Sequence, residues 1–418
     1  MNEKWKNFFK TLGPGILFAS TCVGVSHLVQ STRAGADYGF ALVWVIVLAI
    51  IFKYPFFEFT SRYTSATGKS VLDGYYGMGK WILIAFGIST LFTMFIVTTA
   101  VTFVTAGLLS NLIPVFGFTT DIWVLIILII SGMILLVGKF SILDLLLKVI
   151  GTVLVISTLA AFGSAYWGVE VTPAADFVPK DPYDTVGILF IVALMGWMPT
   201  AVDMSVWTSL WTEARIKQTN YHPKLKESLL DFNLGYIISA VLALFFMGLG
   251  ALVIFGTNTE LSNSSPVFAS QLINMYTNSI GSWSYLIIAV AAFSTMFSTS
   301  ITVMDGYGRT MSRITKLLGN HGADDSRKAF LFWIIVLMIG TYIVSTQFVN
   351  SLKTLVDLAT GVSFIIAPFA GYLNYRVIYR PEIPDSHRPP TWLKWLAILG
   401  LLFLLLFSFI YIYLKQIS

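Results

Sequence analysis

Apolar positions fall in long, nearly unbroken runs, not in alternating or one-faced patterns. Eleven such runs can be marked: 13–33, 39–59, 82–110, 121–138, 142–166, 186–211, 230–255, 282–308, 329–347, 352–375 and 392–414. About twenty apolar residues suffice to carry a helix across a hydrocarbon core. Continuous apolarity over that length does not suit the two-residue alternation of a barrel strand, and in lipid a lone segment satisfies its backbone groups only as a helix. The pattern predicts an all-α polytopic membrane protein. The longest polar stretches, roughly 165–185, 212–229, 256–281 and 309–328, are too short for a separate soluble domain.

Composition narrows the function classes. Of 418 residues, 56% are apolar and 11% charged, where a soluble chain carries about 25% charged residues. The mean hydropathy is +0.79. A soluble enzyme, a disordered chain and a nucleic-acid binder are excluded. A single cysteine, Cys22, leaves no disulfide framework or thiolate cluster. Phosphate-binding loops, metalloprotease motifs and catalytic-triad patterns do not occur, so no cofactor and no enzymatic activity are expected. The expected partners are the lipid bilayer and a small inorganic solute; nothing in the pattern fixes an oligomeric state.

The net charge of +5 matters through its placement. Alternate connections hold twenty of the 26 lysines and arginines, from Lys4, Lys6 and Lys10 through Arg215, Arg309 and Arg313 to Lys394. The other connections hold four: Arg33, Lys180, Lys353 and Lys415. Cytoplasmic loops collect cations, so the bias predicts a cytoplasmic N-terminus and an extracytoplasmic C-terminus in the inner (plasma) membrane. The first apolar run lacks a small-residue cleavage site, so a cleavable signal peptide is not expected.

Ten spans plus one invite a division into inverted five-helix repeats, 13–166 and 186–375. Residues 1–12 would then form a cytoplasmic segment and 392–414 an eleventh helix. Such repeats place the substrate near the midplane, where matching helices are interrupted. The first span of each half carries breakers: Cys22-Val23-Gly24-Val25-Ser26-His27 in span 1, and Met195-Gly196-Trp197-Met198-Pro199-Thr200 in span 6. Pro199 removes an N–H and clashes with the preceding turn. Gly24 and Gly196 ease unwinding.

Several motifs give the chain a family likeness. Gly13-Pro14-Gly15 opens span 1, Arg62 with Thr67-Gly68-Lys69 closes span 2, and Met198-Pro199 lies in span 6. Ser298-Thr299-Ser300-Ile301-Thr302 and Pro368-Phe369 fall in spans 8 and 10. On these residues the chain resembles the Nramp divalent-metal transporters. The resemblance implies a LeuT-like fold, with an eleventh helix, that works by alternating access as a secondary transporter. It also implies a metal site, and there the chain departs from the family. The family's Asp-Pro-Gly-Asn reads Gly24, Val25, Ser26 and His27. Its Met-Pro-His reads Met198, Pro199 and Thr200, and a further His reads Ser205. The tenth-helix Gln falls near Ile365 or Ile366, and 98–103 of span 3 hold no acid. Met198 alone keeps a metal-ligand identity.

One carboxylate touching a divalent ion supplies roughly 15 kcal/mol of gross attraction at an effective dielectric near 20. Without it, Mn²⁺ or Fe²⁺ should bind poorly. A small oxyanion such as bicarbonate, or a neutral polar solute, suits the altered residues better. Gly24 would leave room, Ser26, His27 and Thr200 would donate near half-helix N-termini, and Trp197 would wall the pocket. Asp203, three residues after Thr200 and on the same helical face, and Asp357, without an evident partner, are expected to carry coupling ions or protons. Asp144 and Lys148, and Asp305 and Arg309, are spaced to pair within a helix. Lys53 and Glu58 flank Pro55 near one end of span 2 and are expected to snorkel, and Asp231 should lie at the interface.

Overall fold

A computed structural model describes residues 10–137, 140–168, 173–257, 259–319, 323–349 and 351–417, with backbone alone described for 140–151 and 323–326. All regular structure among them is helical. In chain order the helices are α1 (Pro14–Cys22), α2 (Thr32–Tyr38), α3 (Val43–Thr67), α4 (Val71–Met78), α5 (Lys80–Leu112), α6 (Thr120–Val137), α7 (Phe140–Gly168) and α8 (Thr185–Gly196). They continue with α9 (Ser205–Thr219), α10 (Leu225–Val253), α11 (Ser265–Ile280), α12 (Tyr285–Gly319), α13 (Ala323–Phe348), α14 (Leu352–Val377) and α15 (Thr391–Ile417).

Each apolar run coincides with a helix or a pair of half-helices. Among the described residues, eight helices are long and apolar enough to cross a membrane. Spans 1 and 6 fall short because each is broken into two pieces, α1 with α2 and α8 with α9, and α7 of span 5 falls short because its side chains are described only over Thr152–Gly168. Two helices lie outside the eleven runs. The chain at 256–281, read from sequence as a polar connection, contains α11, whose Phe268, Leu272, Ile273 and Tyr276 are buried while other positions face out. The short α4 follows Ser70, whose hydroxyl caps its N-terminus by accepting from the Leu72 N–H at 3.3 Å. Both are amphipathic and too polar for a hydropathy criterion.

The broken spans lie inside the bundle. α10 packs against α1 and α2, α12 lies along α5, and α14 lies along α8. The opening Gly13-Pro14-Gly15 has a structural reason. The Asp231 carboxylate of α10 accepts from the Gly13 N–H at 3.1 Å and the Gly15 N–H at 2.7 Å, capping the positive end of α1. A Cβ on Gly15 would lie 1.9 Å from the Asp231 carbonyl oxygen. Asp231 is buried there.

Candidate functional site at the two helix breaks

In span 1 the helix loses its regular pattern at Val23 and Gly24. Gly24 N–H bonds back to the Cys22 carbonyl at 2.8 Å, and a wide π-type turn over Ser26–Ser31 leads into α2. Gly24 allows a close approach: a Cβ there would sit 2.7 Å from Thr299 Cγ2 of α12. The glycine thus serves packing between α1 and α12 and does not line the cavity.

His27 is fully buried and turned toward α10. Its Nε2 lies 2.8 Å from the Ser239 carbonyl, which only accepts, so Nε2 carries the proton. In the neutral ring Nδ1 is then an acceptor, 2.8 Å from Ser26 Oγ. Ser26 Oγ also lies 2.6 Å from the Cys22 carbonyl, and its one proton serves either acceptor. The ring packs edge-on against Phe246. His27 is thus a bridge between span 1 and α10, standing behind Ser26.

Span 6 breaks more widely. α8 ends at Gly196, residues 197–201 are non-helical with a cis Met198–Pro199 peptide, and a single 3₁₀ turn at Val202–Met204 precedes α9. A Cβ on Gly196 would meet the Thr360 carbonyl oxygen of α14 at 2.2 Å. Trp197 donates from Nε1 to Ser363 Oγ of α14 at 2.9 Å. The Met198 sulfur faces Ser31, whose hydroxyl lies 3.6 Å away.

Between the breaks lies a cavity of about 20 Å³, room for one water. Span 1 contributes Thr21, Val25 and Ser26, span 6 Trp197, Thr200 and Met204, α5 Val97 and Val101, and α12 Thr299 and Val303. Its walls are hydroxyls, aliphatic groups, the Trp197 ring and the Met204 thioether, with no carboxylate. Of the residues singled out from sequence, Ser26, Trp197 and Thr200 line it; Gly24, His27 and Met198 do not. Met204, which accepts from Thr200 Oγ1 at 3.2 Å, was missed, because a methionine in an apolar run carries no distinguishing signal.

The charges are placed differently from the sequence reading. Lys53 of α3 does not snorkel: it is fully buried and donates to three carbonyls of the span 6 break. Glu58 pairs with Arg62 at 2.6 Å. Asp203 shares no continuous helical face with Thr200, because the chain between them is unwound. It is buried against α5, where Oδ2 accepts from Thr93 Oγ1 at 3.3 Å and Oδ1 has no hydrogen bond. Asp357 does have a partner: Arg33 reaches its two oxygens at 2.7 and 3.2 Å, and Gln30 joins both residues. This cluster ties span 1 to α14 at the end of the bundle that carries the Lys180–Asp37 pair. At the other end Arg313 pairs with Asp73, and Asp305 with Arg309 as their spacing suggested. Asp144 and Lys148 lie outside the described side chains. Ile365, near the expected tenth-helix position, is exposed on the bundle surface.

Residues 15–414 match the family model described as natural resistance-associated macrophage protein-like, Nramp. The chain belongs to the Nramp family. An uncharacterized protein of Pasteurella multocida is 38% identical over 414 residues, covering 98% of this chain and 93% of that one. The metal transporter Nramp6 of Arabidopsis thaliana is 28% identical over 71 residues, 17% of this chain and 14% of its own length. Among solved structures, a manganese transporter of Eremococcus coleocola superposes with a TM-score of 0.71 at 15% identity, covering 98% of this chain and 87% of that one. MhsT in complex with L-phenylalanine superposes with a TM-score of 0.54 at 12% identity, covering 94% and 98%. The fold of this Nramp family member is LeuT-like, two inverted five-helix repeats plus an eleventh helix. It is a multi-pass membrane protein.

Proposed function

We propose that the protein is a secondary transporter that moves a small inorganic ion by alternating access, and is not an enzyme. The observation that carries this reading is the small cavity between two helices broken at matching places of the fold. Ser26, Trp197 and Thr200 around it are all 6% exposed or less. The Arg33–Asp357 pair at one end and the Arg313–Asp73 pair at the other suit a state closed on both sides. The repeats are taken as 13–166 and 186–375, with 1–12 cytoplasmic and 392–414 the eleventh helix. The charge bias supports a cytoplasmic N-terminus and an extracytoplasmic C-terminus in the plasma (inner) membrane.

Relatives described as metal and manganese transporters make a divalent metal the family's default substrate. The donor set here does not fit a dehydrated transition metal. Among the described residues no group of three His, Cys, Asp or Glu is placed to hold one. Met198, the remaining ligand type, points at Ser31. The Lys53 ammonium touches the Thr200 carbonyl at 3.2 Å. A divalent ion about 5 Å from an ammonium meets roughly 7 kcal/mol of gross repulsion at an effective dielectric near 20. Mn²⁺ and Fe²⁺ are therefore held weakly. The same ammonium and the hydroxyls of Ser26 and Thr200 favour a second reading, a small oxyanion with bicarbonate first. Asp203, with a buried and unbonded oxygen, is the residue proposed to carry the coupling ion or proton, and Asp357 a gate residue.

The test is flux into liposomes containing the purified protein, with Mn²⁺, Mg²⁺ and bicarbonate side by side. Saturable uptake with counterflow is expected. Current without saturation would mean a channel, and no movement of any solute would mean a sensor or scaffold. Robust, saturable Mn²⁺ uptake lost in Met198→Ala would overturn the reading of the site.

A further inference from the structure

Where α8 stops, the carbonyls of its last turn lose their regular helical N–H partners, the Met195 carbonyl keeping a long 3.4 Å contact from the Met198 N–H, and the end of a half-helix carries partial negative charge. In a membrane interior no bulk water relieves either. Lys53 reaches this point from α3, a different span. Its side chain is fully buried. Nζ donates to the Met195 carbonyl at 2.5 Å, the Gly196 carbonyl at 2.8 Å and the Thr200 carbonyl at 3.2 Å. Three acceptors around one nitrogen require three N–H groups, which the ammonium has and the neutral amine lacks. The geometry is therefore that of an ammonium seated among carbonyls.

Carbonyl oxygens converging on one point within a low-dielectric interior are also the surroundings that a dehydrated monovalent cation needs. We propose that Lys53 is a tethered cation, filling from within the chain a carbonyl site that would otherwise take a free monovalent cation. A long charged side chain is costly to bury in a span, and here the cost is offset by stitching α3 to both sides of the span 6 break. Two consequences follow. The intact protein needs no sodium or potassium to hold the break together. Removal of the ammonium, with space left behind, creates a site for sodium, potassium or a small alkylammonium.

Thermal unfolding of the purified full chain in detergent tests this, with N-methylglucamine, sodium, potassium and methylammonium chlorides at equal ionic strength. The wild type is expected to melt at the same midpoint in all four. Lys53→Ala is expected to melt lower in N-methylglucamine and to recover, saturably, with at least one of the other three, since a ligand bound only by the native state raises stability with its concentration. Saturable stabilisation of the wild type by sodium or potassium would overturn the proposal, as would a Lys53→Ala variant that responds to none. Should the variant be recovered folded only when methylammonium is present, the proposal stands; recovery in none of the cations overturns it. The readout is stability, so its failure is separable from failure of the transport reading, which is decided by flux.

Discussion

The two helix breaks meet the same physical demand in opposite ways. Span 1 stays narrow: one irregular residue pair, a wide turn and neutral contacts, with Ser26 beside the Cys22 carbonyl and His27 beside the Ser239 carbonyl. Span 6 opens over five residues, and a charge from another span fills the gap. Small openings can be repaired by hydroxyls and backbone rearrangement. A larger one exposes several carbonyls facing the same point, and only a group with several donors satisfies them together. The difference places positive charge on the span 6 side of the cavity, where a metal site would need negative charge.

Five substitutions would break or sharpen this contrast. The largest effect is expected for Lys53→Met, which keeps an apolar stem and deletes the ammonium. Removing one partner of a buried charged contact costs about 3–5 kcal/mol, seen as a large drop in melting temperature. A melting point near wild type would show that the break is held by other means.

Next come the two glycines. Gly196→Ala drives a Cβ toward a backbone carbonyl at 2.2 Å, Gly24→Ala toward a side-chain methyl at 2.7 Å. Overpacking costs about 1–3 kcal/mol, with Gly196→Ala the worse. Adding Thr299→Ser, which removes that methyl, should restore most of the loss in Gly24→Ala. No side-chain change at Thr360 should rescue Gly196→Ala. Equal rescue at both sites would refute the assignment of one contact to backbone and the other to a side chain.

His27→Ala follows, at about 1–3 kcal/mol for a buried partner left unsatisfied. The loss should appear in melting and leave the concentration dependence of transport unchanged, because His27 stands outside the cavity. A raised half-saturation concentration with unaltered melting would put His27 back in the site. Thr200→Val should be the smallest in stability, about 0.5–1.5 kcal/mol for one hydrogen bond, while it weakens apparent affinity for the transported ion. Unchanged uptake would move the site away from this cavity.

Much of the architecture could be read from the chain. Long apolar runs determine membrane helices because lipid offers the backbone no alternative partner, and each of the eleven runs coincides with a helix or a broken pair. The breaks at Gly24 and Pro199 were legible for a similar local reason: glycine and proline act on the backbone of their own residue and its neighbours. The amphipathic α11 was not, since its apolar positions are diluted by serines and asparagines below any hydropathy threshold.

What the sequence could not decide was where side chains point across spans. His27 and Met198 sit on the right segments but turn toward α10 and Ser31. Lys53, read as a snorkelling residue at the end of its span, proves to be the cation inside the span 6 break. Asp357, seemingly alone, meets Arg33 from 324 positions away. Composition and periodicity report the solvent each segment prefers, which is local information. Which orphaned carbonyl meets which ammonium depends on the rotation of one helix about its axis against another, and in this bundle that is settled by close contacts such as Gly24 on Thr299 and Gly196 on Thr360, which exist only once the helices are packed.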